Sequence, residues 1–209
     1  MNDEPSSKPG DRSDSNEPLN VSGPHSQEVR HTQISAIVPE DVARGVFSTG
    51  AVVLQGGHEF IIDFLLRMTS PHQVAARVII PPPVIPRLIA ALRENLTNFQ
   101  NRFGPLPTPQ PPAKPAQQAS AQELYEQLKL PDDVVSGKYA NAVMIGHTAT
   151  EFSFDFITTF FPRSAVSCRV YLSAPNAPRF LDSLTHSYEQ FQRRIAEKSA
   201  EPPPNPESA

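Results

Sequence analysis

The sequence has little of what usually gives a protein an obvious chemistry. It contains no tryptophan and one cysteine, Cys168. A single cysteine excludes an intrachain disulfide and any metal site built from cysteine pairs. An unpaired thiol suits a reducing compartment. The nine glycines form no phosphate-cradling loop, and no G-x-S-x-G elbow is present. No apolar run approaches the ~18 residues of a membrane helix. The acidic, Ser/Pro-rich opening carries no secretory core. A dominant charge is lacking too: 18 basic residues stand against 22 acidic ones. That is too balanced for bulk attraction to nucleic acid or an anionic membrane. The expectation is a soluble cytoplasmic protein with no cofactor, no metal site and no membrane partner.

Proline is what the chain has in excess, 24 of its 209 residues, and it is clustered. Residues 1–37 are polar and poor in aromatics, too little apolar surface to offset ordering entropy; they are expected to be a disordered tail. Residues 104–119, with Pro105, Pro107, Pro109, Pro111, Pro112 and Pro115, read as a semi-stiff linker. Ser120-Ala121-Gln122-Glu123 is a capping box ahead of Leu124 and Leu128, so residues 120–129 are expected to form a short lead-in helix. Residues 196–209 end in Pro202-Pro203-Pro204 and read as a second disordered tail.

The two stretches between these segments are copies of each other. Glu59-Phe60-Ile61-Ile62-Asp63-Phe64 returns as Glu151-Phe152-Ser153-Phe154-Asp155-Phe156. At that offset residues 38–103 lie on 130–195 without a gap. Pro39, Asp41, Val42 and Gly45 fall on Pro131, Asp133, Val134 and Gly137. Val74, Arg77 and Val78 fall on Val166, Arg169 and Val170. Pro83, Pro86, Arg87, Leu92 and Phe99 fall on Pro175, Pro178, Arg179, Leu184 and Phe191. Gapless agreement of this kind marks a duplicated supersecondary unit.

Each unit reads as a proline-initiated turn stopped by Gly45 or Gly137, then three strands, then a helix. The first strand runs Phe47–Gln55 or Tyr139–Gly146. Gly56-Gly57 signals a two-residue hairpin turn in the first copy; His147–Thr150 replaces it in the second. The E-F-x-x-D-F strand follows, then a β-branched strand around Val74–Ile80 or Val166–Leu172. The helix carries the stripe Leu88, Leu92, Leu96, Phe99 and Phe103, or Phe180, Leu184, Tyr188, Phe191 and Ile195. That spacing makes one apolar face, expected to cover the phenylalanine face of its own sheet.

Strand parity places Phe60, Ile62 and Phe64 on one face, Glu59 and Asp63 on the other. An antiparallel hairpin sets Asp63 opposite Arg77 and Asp155 opposite Arg169, as structural ion pairs. A carboxylate dyad for acid–base work is disfavoured, because residues four apart on a strand stand about 13 Å apart. His58, His72, His147 and His186 lack ligand spacing, and Cys168 alternates with Val166 and Val170 as a core residue. No catalytic, cofactor or metal residue is assigned. Glu59, Glu151, His147, Arg87 and Arg179 are the candidate surface contacts, and Arg193 and Arg194 join the two arginines if the helices lie side by side.

The run from Leu130-Pro131-Asp132-Asp133 through Tyr139-Ala140-Asn141 to Gly146-His147, then Glu151–Phe156 and Arg169-Val170-Tyr171-Leu172-Ser173-Ala174-Pro175, resembles a bacterial and archaeal domain family of unknown function, number 3467. The first copy departs from it: Phe47-Ser48-Thr49 stands for Tyr-Ala-Asn, and Gln55 for the histidine. The resemblance implies no activity. It implies a single small unit, so that a tandem copy forms an internal pseudo-dimer.

The expected fold is α+β: two tandem β-β-β-α units, each a small antiparallel sheet covered by one C-terminal amphipathic helix, paired as that pseudo-dimer. The expected function is a non-catalytic protein-interaction or assembly module, chaperone-like, whose open sheet edges take a partner strand. The protein partner is not named by the sequence, and homo-oligomerisation is open. The alternatives are nucleic-acid binding through helix arginines, which the charge balance disfavours, and an enzyme with His147 in a site between the units.

Overall fold

The computed structural model describes residues 36–106 except Thr69, and 121–200 except Phe161. All of them lie in one compact unit, Gln33–Ala209. The two tails read from sequence lie largely outside the described residues, as does most of the linker. The order of elements repeats. In the first copy, β1 (Ala36–Ile37), α1 (Glu40–Ala43) and β2 (Val46–Ser48) lead into β3 (Gly50–Gln55), β4 (Phe60–Leu66), β5 (His72–Ile80) and α2 (Ile85–Phe103). A short helix α3 (Ala121–Glu126) opens the second. Then β6 (Leu128–Lys129), α4 (Asp132–Val135) and β7 (Lys138–Tyr139) lead into β8 (Ala142–His147), β9 (Glu151–Thr158), β10 (Ser164–Ser173) and α5 (Ala177–Ala200). Here β1 begins before the expected start at Val38, and α5 continues past Ile195.

The fold is α+β and built on two antiparallel-rich sheets, each with five strands rather than three. In the first sheet β3, β4 and β5 form an antiparallel meander, and in the second β8, β9 and β10 do the same. The added strands are parallel and come from the other copy. β6 and β7 line the outer edge of β5, while β1 and β2 line the outer edge of β10. The copies therefore exchange their lead-in segments.

Sequence read Phe47–Gln55 and Tyr139–Gly146 as single strands of single sheets. Each run instead turns a corner and changes sheet, as strands at sheet corners do. Thr49 donates its amide to the Leu65 carbonyl at 2.8 Å, and its hydroxyl accepts the Arg67 amide at 2.9 Å. At the equivalent corner Asn141 donates to Ile157 at 2.9 Å, and its Oδ1 accepts the Thr159 amide at 2.8 Å. β-propensity is the same on both sides of the corner, so composition does not reveal it.

The first hairpin turn also differs from the two-residue expectation, and the second lies one residue beyond His147–Thr150. Gly56 donates to the Glu59 carbonyl, and Thr148 to the Glu151 carbonyl, both at 2.8 Å. Each loop is a four-residue turn, and neither Gly56 nor Gly57 has a positive φ. Positive φ is used at Gly45 (64°) and Gly137 (70°), which end α1 and α4 in the left-handed conformation that glycine adopts without a Cβ clash.

The aromatic faces of β4 and β9 meet in one core. Phe60, Ile62, Phe64, Phe152, Phe154 and Phe156 are fully buried. Phe64 lies 6.1 Å from Phe154 and 5.7 Å from Phe156, ring centre to ring centre. Burial stabilises by about 1.5–3 kcal/mol for each large side chain. The helices cross over as well. Phe191 and Tyr188 of α5 pack on Phe60 of the first sheet at 5.2 and 6.3 Å. Phe99 of α2 stacks on Phe152 of the second at 5.4 Å. Phe180 of α5 touches both Phe64 and Phe154. The expectation that each helix covers its own sheet is corrected: helix amphipathicity fixes which face is buried, not which sheet receives it. The stripe fades at its end, where Phe103 and Ile195 are exposed.

Candidate functional site

Three places gather polar groups around this exchanged core: an ion pair on the open face of each sheet, a cavity on the pseudo-two-fold axis, and a histidine at the end of β8. The ion pairs come directly from register, which sets Asp63 opposite Arg77 and Asp155 opposite Arg169. Arg77 donates Nε and Nη2 to the two carboxylate oxygens of Asp63 at 2.8 and 2.7 Å. Arg169 makes the same bidentate pair with Asp155, both bonds at 2.7 Å. Each arginine spends a third donor on the exchanged lead-in: Nη1 of Arg77 reaches the Val135 carbonyl, and that of Arg169 the Ala43 carbonyl. The hydrogen-bonded carboxylate raises both guanidinium pKa values above the ordinary arginine value, so both arginines stay charged. These bonds tie each sheet to the other copy's strap.

The two pairs differ in one respect. On the first sheet Tyr125 of α3 donates its hydroxyl to Oδ2 of Asp63, and its ring lies 5.8 Å from the Arg77 guanidinium carbon. Burial, then the bond to Asp63, raises the Tyr125 hydroxyl pKa, so it remains a donor. Asp63 is fully buried beneath it, whereas the Asp155 side chain is 15% exposed. Among the described residues only Arg169 bonds the Asp155 carboxylate.

The axial cavity has a volume of about 390 Å³. Its walls are equivalent pairs from the two copies, including Asp41 with Asp133, Gly45 with Gly137 and Arg77 with Arg169. It arises because each added strand pair leaves a gap. β6 and β7 cover the ends of β5 but not its middle, and β1 and β2 do the same to β10. In both gaps the register skips one residue, Ala75 and Ser167, a β-bulge of the kind that re-aims side chains. The second copy makes its half more polar: Lys138, Ser167 and Cys168 replace Val46, Ala75 and Ala76. Ser167 donates to the Tyr139 carbonyl at 2.8 Å. Burial pushes the Cys168 thiol up to about 11, leaving it protonated and unreactive at neutral pH.

His147 does not reach this cavity. Its Nδ1 is 3.1 Å from Asn95 Oδ1, and its ring lies against Phe99, Phe103 and Phe152. The equivalent Gln55 donates to Gln190 of α5 at 2.7 Å. Both therefore pin an edge strand to the other copy's helix. Glu151 accepts the Thr148 and Thr150 hydroxyls at 3.0 and 2.5 Å, and the Glu59 carboxylate lies against Gly56. Arg87 and Arg179 are exposed in the first turns of α2 and α5. The other two helix arginines are turned elsewhere: Arg193 approaches Glu189 at 4.0 Å, and Arg194 donates to the Gly56 carbonyl at 3.5 Å. Among the described residues no cluster of histidine, cysteine and carboxylates could hold a metal ion, and no helix is long and apolar enough to cross a membrane.

Sequence reasoning missed Asp41, Asp133, Lys138 and Tyr125, because they lie against the other copy's sheet, and Ser167, because a bulge within β10 leaves no mark in the strand's composition. The available signal was the repeated Pro39-Glu40-Asp41 and Pro131-Asp132-Asp133 turn, which kept its acids in both copies. A family model described as a protein of unknown function (DUF3467) matches the chain twice, over residues 4–108 and 110–197. No curated protein and no solved structure matches it.

Proposed function

The chain belongs to the DUF3467 family, as two tandem copies, and from that premise we propose that it is a non-catalytic protein-interaction module that binds partners by strand addition. The observation that supports this reading is the pair of free edges. No described strand lies beyond β3 in the first sheet or beyond β8 in the second. Their sequences, Gly-Ala-Val-Val-Leu-Gln and Ala-Val-Met-Ile-Gly-His, contain no lysine, carboxylate or proline. Natural edge strands are commonly blunted by such residues. An extended peptide can pair with unguarded edge backbone and read alternate side chains.

The test is selection of extended peptides from a random display library on the whole chain, followed by amide hydrogen exchange. Selected peptides are expected to protect amides of β3 or β8. Val52→Lys and Ala142→Lys, which place a charge at half-buried positions of each edge strand, are expected to weaken binding at least tenfold. Peptides that protect other surfaces, or a library that yields no binder, overturn the reading.

A further inference from the structure

We propose that the open face of the second sheet, around Asp155 and Arg169, is a docking site for a short tyrosine-bearing helix of another protein. This surface is the open face of the sheet, whereas strand addition uses the hydrogen-bonding edge of β8. The duplication supplies a template for what fits. On the first sheet the same carboxylate–guanidinium pair carries a ligand from within the chain: α3 places the Tyr125 hydroxyl on Asp63 and the Tyr125 ring over Arg77. On the second sheet the pair has the same bidentate geometry and the same third bond to the lead-in strap. Among the described residues no tyrosine hydroxyl bonds Asp155; Tyr171, on the same strand, lies beside Arg169 and acts on the guanidinium alone.

The chain cannot supply the missing phenol from the equivalent position. Residue for residue, Gln33 stands where Tyr125 does in the second copy, and residues 1–46 contain no phenylalanine, tyrosine or tryptophan. The surroundings suit an aromatic visitor. Phe47 and Tyr171 are neighbours in register beside Arg169, and Phe47 is 42% exposed. Together with Thr148, Glu151 and Ser153 they enclose a hollow of about 270 Å³. Met144, opposite Asp155 on β8, is 51% exposed. The carboxylate offers an acceptor lone pair, the guanidinium a cationic face for a ring, and the half-exposed apolar residues a rim that association would cover.

The probe is a synthetic, fluorescently labelled peptide with the sequence of residues 120–129, added to the intact chain. Saturable binding is expected. A peptide with phenylalanine in place of its tyrosine should bind at least tenfold more weakly, because the covered Asp155 carboxylate then loses water without gaining the hydroxyl donor. Asp155→Asn should produce a similar loss. Phe47→Ala tests the same surface without touching the ion pair, so a weakened Asp155→Asn fold cannot mimic the result; it should cost several-fold in affinity. Absence of binding at millimolar peptide overturns the proposal. So does binding indifferent to Asp155→Asn and Phe47→Ala, which would mean displacement of α3 from Asp63. Binding that appears only after residues 1–35 are deleted also overturns it, because the face would then be filled from within the chain.

Discussion

Asp63 and Asp155 make the same two bonds to an arginine but sit in different surroundings. Asp63 is fully buried and also accepts from Tyr125; Asp155 keeps 15% of its side-chain surface in water. Removing one partner of a buried pair strands the other charge, which costs about 3–5 kcal/mol. Solvent reaching Asp155 relieves part of that penalty for Arg169. Asp63→Ala is therefore expected to lower stability by about 3–5 kcal/mol, and Asp155→Ala by clearly less. Urea midpoints of the two variants measure the difference; equal losses would contradict the burial argument. The pairing itself was legible, because each third strand carries one arginine and strand parity sets it opposite the aspartate. The tyrosine was not, since Tyr125 stands outside the repeated segment and its contact crosses sixty-two positions of chain.

Among the elements, the short straps β1–α1–β2 and β6–α4–β7 carry the exchange, and their glycines make the close approach possible. At Gly45 φ is 64°, and a Cβ would stand 2.6 Å from Tyr171 Cε2 and 2.8 Å from Arg169 Cγ. At Gly137 φ is 70°, and a Cβ would stand 3.0 Å from Arg77 Cγ. Gly45→Ala thus combines an unfavourable backbone region with a collision beneath the ion pair. Left-handed strain alone costs about 1–3 kcal/mol. Gly45→Ala is expected to exceed Gly137→Ala, whose contacts are looser, and thermal unfolding of the two variants ranks them. Sequence located both glycines as helix stops, and located the meander strands and the two long helices from their periodicity. It did not reveal which sheet each strap joins. A short parallel strand of two or three residues carries no alternation of its own, and a helix stripe such as Leu88, Leu92, Leu96 and Phe99 fits any apolar sheet.

At the scale of the molecule, the exchange makes the two copies dependent on each other. Without the second copy, β5 would lose β6 and β7, Phe60 would lose Phe191 and Tyr188, and Arg77 would lose the Val135 carbonyl. The second copy loses the matching set: β1, β2, Phe99 on Phe152, and the Ala43 carbonyl. The buried aromatic residues form one cluster that includes both sheets and both long helices, so no boundary through it leaves a closed core. A cut between residues 107 and 120 breaks none of these contacts. Two fragments, 1–106 and 121–209, are accordingly expected to copurify when coexpressed and to show the near-ultraviolet circular dichroism of the intact chain. Neither fragment alone should be a folded monomer. Each exposes the face that the other covers, and self-pairing is the only way it can reproduce the exchange, as homodimers do by symmetry. The intact chain should unfold in one transition, since the halves share their core, and its covalent link raises their effective concentration to the millimolar range. Sedimentation of each fragment, with its circular dichroism, decides the matter. A folded monomeric half would mean that the crossed helices and straps decorate two independent domains rather than build one.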